Sequence, residues 1–358
     1  MNNSTISDSM SHDSTLSGRY CMQRLSHMAT PPPPLGTAPL VSLTIALSCI
    51  PLITVAGNLL TIVAIATYPR LHILSNAYVV SLAAADIGVA MLVMPFETYK
   101  MATNKKWMLG RHACLVMYSF SVLFCSASIY NLVCLTVDRY LAICRPFTHA
   151  MKTPRTVAML IVISWMIPFS LSFLPIFLGW NMIGIEDIFN CVMLLTENKS
   201  CFLLIGIKFA FVVSFLGFYV PVLVMVFLNW RIYMTATKVL RQLRLCRSAS
   251  DENRYVSSRD TKAAKTVCII LGCFVGCWCP FFIVLVVDAV IGHSLPYNVW
   301  TVSLWLGYFN SMMNPLLLYV FNKSFRHGFQ RLFLRYGISK CLIEEPEHVS
   351  ASSVVTRY

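Results

Sequence analysis

CLVMYSFSVLFCSASIYNLVCLTVDRY, residues 114–140, carries no Asp, Glu, Lys or Arg from Cys114 to Val137 and then closes on Asp138-Arg139-Tyr140. As a helix rising ~1.5 Å per residue, such a run outspans the ~30 Å hydrocarbon of a bilayer. Six further stretches behave alike. Residues 25–69, 156–185, 209–230, 266–287 and 289–322 hold no charge, and 71–96 hold only Asp86. Composition agrees, with 57% hydrophobic and 12% charged residues, against roughly 25% charged in a soluble domain. Backbone polar groups must satisfy one another in lipid, so the runs are helices. The fold class is an all-α membrane protein, a seven-transmembrane helix bundle with spans near 39–67, 73–102, 111–144, 156–180, 204–242, 260–290 and 296–320.

Seven spans put the two chain ends on opposite sides. With the N-terminus outside, the inner segments hold 20 of the 28 Lys and Arg residues, which sets the orientation. The net charge of +13 is largely that asymmetry, together with an inner face able to meet acidic lipid. Because the basic residues are divided among loops, nucleic acid is not an expected partner.

Residues 1–38 are Ser- and Met-rich, end near PPPP, and read as a disordered extracellular tail without a cleavable signal. The seven-helix domain covers 39–322. NKSFRHGFQRLFLRYG places Phe325, Phe329 and Leu332 on one helical face, so 323–341 reads as an amphipathic helix on the inner leaflet. Residues 342–358 read as a disordered cytoplasmic tail. Cys341 is either a palmitoylation site or a plain thiol. Asn2, Asn3 and Asn198 open Asn-x-Ser/Thr sites on the outer side. Cys21, Cys114, Cys191 and Cys201 lie on the oxidising side and permit two disulfides in three pairings.

Asp86 is the one carboxylate deep in a span and hence a functional candidate. With Ser128, Asn310 and Asn314 it offers oxygen ligands for a sodium ion, or forms a hydrogen-bonded knot without one. Arg139 at the inner end of the third span and Asp260 on the sixth suggest a bridge whose release opens a cleft; the bland alternative is a solvated charge pair. The sequence contains no catalytic constellation, so an enzyme is not expected, and no inverted repeat of the transporter kind.

GNLL (57–60), SLAAAD (81–86), DRY (138–140), Trp165, CWCP (277–280) and Asn314-Pro315 occur in order on successive spans. Together they resemble the class A, rhodopsin-like G-protein-coupled receptors over about residues 40–335. WMIPFSLSFLPIFLGWNMIGI, TKAAKTVCIILGCF, WLGYFNS and FNKSFR resemble the aminergic branch, notably its type-4 serotonin and trace-amine members. The resemblance implies a Cys114–Cys201 disulfide and leaves Cys21 with Cys191. It implies a plasma-membrane receptor that needs no cofactor, takes a small-molecule ligand, and works with a heterotrimeric G protein (Gs by analogy) and arrestin. The switch residues would be Asp138, Arg139, Tyr140, Asp260, Asn314 and Pro315. The implied pocket is lined by Ser121, Val122, Cys125, Ser214, Trp278, Phe281, Phe282, Trp305 and Tyr308.

Three positions break the family pattern. Ser121 stands where the resemblance expects the Asp that pairs with a ligand ammonium. Glu97, about three turns beyond Asp86 on the same face, is a relocated acid for an amine, or else it pairs with Lys100. NPLLLY (314–319) puts Leu318 where a Tyr is expected, with Tyr319 turned by about 100°. Asn229 replaces a second Tyr. These losses open the alternative of a non-signalling ligand sink or heteromer partner.

Overall fold

The computed structural model describes residues 19–23, 25–26, 36–197, 199–245 and 251–335, with side chains described except over 240–268 and at 335. Seven long helices follow in order. They are α1 (Thr37–Thr67), α2 (Asn76–Leu92, resuming after Val93 as Met94–Ala102), α3 (Gly110–Cys144), α4 (Pro154–Phe177), α5 (Ile207–Ser214, a π-helical turn Phe215–Tyr219, then Val220–Leu245), α6 (Asp251–Val290) and α7 (Tyr297–Phe321). An eighth, α8, covers Lys323–Arg335. The helices α1 to α6 each contain a stretch long and apolar enough to cross a membrane. Helix α7 has 25 residues and no charge; its Asn, Ser and Tyr residues make it less apolar, and Ser303, Tyr308, Asn310, Ser311 and Asn314 among them are buried in the bundle.

The polar residues of these helices largely satisfy themselves. Thr44, Ser48, Thr54, Thr61 and Thr67 each donate to the carbonyl four residues back along α1. In lipid this is the local solution open to a hydroxyl. Helix α3 packs against α2, α4 and α5 and forms the axis of the bundle. Trp165 of α4 donates to Ser81 of α2 at 2.9 Å.

Two prolines shape what lies above. Pro95 enters just after Val93, where the backbone leaves helical geometry (φ −126°, ψ −59°) before the chain recoils; its missing N–H makes the break tolerable. The restarted turn buries Glu97, Thr98 and Lys100. Pro221 likewise denies a bond to Gly217, and the π turn Phe215–Tyr219 lies over that gap.

The disulfides Cys114–Cys201 (Cα–Cα 5.7 Å) and Cys21–Cys191 (5.1 Å) close one end of the bundle, the end called outer on the orientation expected from the sequence. Both match the pairings implied by the resemblance. Residues 19–23 form a helical turn held there by Cys21. The loop before Cys201 contains a helix, Glu186–Leu195, that the sequence reading did not anticipate.

At the opposite, inner end, Asn322 caps α8 by accepting from the backbone N–H groups of Ser324 and Phe325. The apolar face expected on lipid instead packs on the bundle: Phe325, Phe329 and Leu332 bury against Ala64, Tyr68, Leu71 and Val79. Residues 336–341, Cys341 among them, and Asn2, Asn3 and Asn198 lie outside the described residues.

Candidate functional site: an aromatic cavity with paired charges

A cavity of ≈ 1080 Å³ opens between the outer halves of the helices, near the top of the range of about 300–1,000 Å³ common for small-molecule sites. Nine of the ten expected ligand-binding residues line it: Glu97, Ser121, Val122, Cys125, Trp278, Phe281, Phe282, Trp305 and Tyr308. Ser214 does not. It is buried beside the π turn, with a hydroxyl that has no hydrogen-bond partner.

The floor is aromatic. Trp278 meets Phe281 edge-on at 5.8 Å, and Phe282 stacks on Phe218 at 4.5 Å. On the other side of Trp278 lies Gly307 of α7; a Cβ there would stand 2.8 Å from the indole ring. The close packing of α6 on α7 therefore requires a glycine.

Ser121 and Tyr308, on α3 and α7, share a hydrogen bond at 3.2 Å. Both are buried. No carboxylate stands at this meeting point. Glu97 takes the second course open to it, an ion pair with Lys100 at 3.0 Å in which both side chains are nearly inaccessible. Lys100 also donates to Tyr118 at 2.8 Å.

Several further charged residues stand in the wall. Asp288 pairs with His293 at 3.0 Å and accepts from the Leu295 N–H. Lys105 lies 3.7 Å from the centroid of the Tyr297 ring, and burial pushes its ammonium pKa down. Glu197 pairs with Lys199 at 2.5 Å, which holds its carboxyl below the usual range. Residues 200–205 of the long outer loop and Leu25 of the tail complete the wall. That loop is braced where α5 begins: Gly206 donates to the Asn181 carbonyl at 2.7 Å, and Asn181 donates to that of Leu204.

Deeper in the bundle, Asp86 is fully buried and accepts from Ser128 (3.1 Å) and Asn314 (2.7 Å). Asn310 is buried nearby on α7 with an unpartnered Nδ2. Asn58 ties α1 to α7 through the Ser311 carbonyl at 3.1 Å. Pro315 packs against Gly57, where a Cβ would stand 3.0 Å from the proline ring.

At the inner end Asp138 is paired with Lys152, and with His149 at 3.5 Å. Arg139 and Tyr140 are half-buried, and Arg139 has no ion pair among the described side chains. Asp260 lies on α6, with a side chain outside the described ones. Asn229 donates to the Met225 carbonyl of its own helix. Tyr319 is turned outward and stacks on Phe329 of α8, so Asn229 and Tyr319 form no common network.

The family model described as 7 transmembrane receptor (rhodopsin family) matches residues 57–319. The 5-hydroxytryptamine receptor 4 of Homo sapiens is 41% identical over 310 residues, covering 82% of this chain and 80% of that receptor. The histamine H2 receptor of Homo sapiens is 34% identical over 301 residues, with 83% and 81% covered. The octopamine receptor beta-2R of Chilo suppressalis is 32% identical over 315 residues, with 80% and 78% covered.

Proposed function

The chain belongs to the rhodopsin family of seven-transmembrane receptors, and from that premise we propose that it is a plasma-membrane receptor, N-terminus outside, that couples a small ligand in the outer cavity to a heterotrimeric G protein. The cavity floor is the observation that carries this. A ligand resting on Trp278 and Phe282 touches α6 directly and α7 through Gly307, so its contacts can favour one arrangement of these helices over another. Asp138, Arg139, Tyr140 and Asp260 form the inner switch in this proposal. Gs is the class suggested by analogy with the serotonin relative, and arrestin is a further partner by the same analogy. Asn2, Asn3 and Asn198 would carry glycans and Cys341 a palmitoyl chain. The oxygens of Asp86 and Ser128, with the Asn310 and Asn314 amides, fit a sodium ion; Asn310 has an orphaned amide atom there to reorient. Such an ion would supply a counter-charge to Asp86.

The relatives named for 5-hydroxytryptamine, histamine and octopamine suggest an amine. A lone ammonium, however, would find Ser121 and Tyr308 bonded to each other, and Glu97 already balanced by Lys100. Stripping Glu97 from Lys100 leaves a buried cation unpaired, which is costly. A second proposal, a non-signalling ligand sink or heteromer partner, draws on Tyr319 and Asn229, each engaged with its own surroundings rather than with a partner across the bundle.

A cAMP assay in expressing cells, run with mono- and diamines beside Ser121→Asp and Glu97→Gln, tests the proposal. Ser121→Asp should create an amine response, with Tyr308 positioned to hydrogen-bond the new carboxylate, while the parent chain responds poorly. An amine response of the parent that Glu97→Gln abolishes at equal surface expression would instead assign the ammonium to Glu97. Silence of every form at normal surface expression would favour the non-signalling proposal.

A further inference from the structure

Each carboxylate lining the cavity, among the described residues, already has a basic partner. Glu97 is joined to Lys100, Asp288 to His293 and Glu197 to Lys199. Two lysines of the wall are left over. Lys106 is exposed at the rim. Lys105 is different: its Nζ is closed off from water, makes no hydrogen bond, and lies against the Tyr297 ring. A ring face is a weaker partner than a carboxylate, and a buried ammonium without one is costly.

The backbone holds Lys105 there under strain. Asn104 and Lys105 have φ of 48° and 71°, in the left-handed region, a conformation that costs a non-glycine residue of order 1 kcal/mol. The Lys105 N–H donates to the Lys100 carbonyl at 2.7 Å, which folds the loop back onto the end of α2. Lys100 and Lys105 are thus brought together on one side of the cavity, beside Tyr118 and Tyr297, above an aromatic floor.

We propose that the ligand carries a carboxylate, held at Lys105 with Lys100 beside it, and an aromatic body that rests on Trp278 and Phe282. This rests on the receptor proposal above and specifies its ligand class. Amino-acid zwitterions and simple carboxylic acids share the chemistry. In a zwitterion the ammonium would fall to Glu97, so that the cavity gains one charge of each sign and no buried ion loses its partner.

Three probes with one benzyl body separate the cases: phenylalanine, 3-phenylpropionate and phenethylamine. The full-length protein is purified in lipid nanodiscs and its thermal midpoint followed as each probe is added, since a ligand of the folded state raises that midpoint. At least one of the two carboxylates should raise it saturably at millimolar concentration, and more than phenethylamine does. Lys105→Gln should weaken that carboxylate by about tenfold or more, the scale of a lost charge-assisted hydrogen bond, while Lys105→Arg retains it and serves as the folded control. Stabilisation by phenylalanine alone identifies the zwitterion, by 3-phenylpropionate alone the simple acid, and by both a carboxylate that suffices. Equal or stronger stabilisation by phenethylamine, carboxylate binding indifferent to Lys105→Gln, or no stabilisation by either carboxylate overturns the proposal. Nucleotide exchange on added G protein is read from the same preparation. Carboxylate binding without exchange keeps the ligand class and rejects the signalling proposal; exchange driven by phenethylamine alone does the reverse.

Discussion

Asp138 takes its buried counter-charge from Lys152 of the following loop, while its chain neighbour Arg139 has no ion pair among the described side chains. Lys152 also donates to Ser75, next to the start of α2, at 3.0 Å, so one ammonium joins α2, α3 and the loop between α3 and α4. Removing it with Lys152→Ala leaves Asp138 with His149 and free to pair with Arg139. The expected result is lower basal nucleotide exchange and a loss of up to about 3 kcal/mol, the lower bound for breaking a buried pair. Lys152→Arg should preserve both. Thermal unfolding and basal exchange of the three forms check this, and unchanged basal exchange in Lys152→Ala would show that the pair does not govern Arg139.

The Glu97–Lys100 pair calls for a double-mutant cycle. Glu97→Gln strands a buried ammonium and should cost about 3–5 kcal/mol. Glu97→Gln with Lys100→Met removes both charges and should recover most of that loss. A coupling energy near zero in thermal or denaturant unfolding would mean that water reaches the pair and screens it.

Gly307→Ala forces a Cβ to within 2.8 Å of the Trp278 ring. The indole is a rigid neighbour, so the cost should be about 1–3 kcal/mol of overpacking. Trp278 should shift toward the cavity, so ligand affinity should fall with the thermal midpoint. A midpoint within error of the parent would place free volume behind the indole.

Burial holds the Lys105 ammonium below lysine's ordinary pKa in the free protein. A bound carboxylate favours the charged form and raises that pKa again. Carboxylate affinity should therefore be full at neutral pH and fall as pH rises through the lowered value, with proton uptake on binding in that alkaline range. Lys100 and Lys106 are the neighbouring cations and the Tyr297 phenol the neighbouring acid, so the profile of Lys105→Arg serves as reference. A titration of affinity between neutral and alkaline pH measures it; a flat profile identical to that of Lys105→Arg would contradict it.

Charge-free runs made the helices legible in the sequence, because a bilayer punishes every charge along roughly 20 residues. The pocket residues implied by the family resemblance on regular helices fall together: Ser121, Cys125, Trp278 and Tyr308 share one cavity. Ser214 failed for a local reason. The π turn Phe215–Tyr219 adds a residue between it and Pro221, which rotates everything before it relative to a 3.6-residue count. The charge partners set by loops were not legible either. His293 with Asp288, Lys152 with Asp138, and Lys105 over Tyr297 depend on chain reversals that no periodicity encodes. Glu97 with Lys100, three residues apart on one helix, was foreseeable and was foreseen as one of two courses.

The bond between Cys21 and Cys191 joins positions 170 residues apart in sequence. It fixes the tail to the long outer loop and keeps Leu25 at the cavity wall. A covalent strap does not swing aside when helices shift, so solutes must pass beside it. Aperture then becomes a filter in its own right, and exchange should slow as solute girth grows.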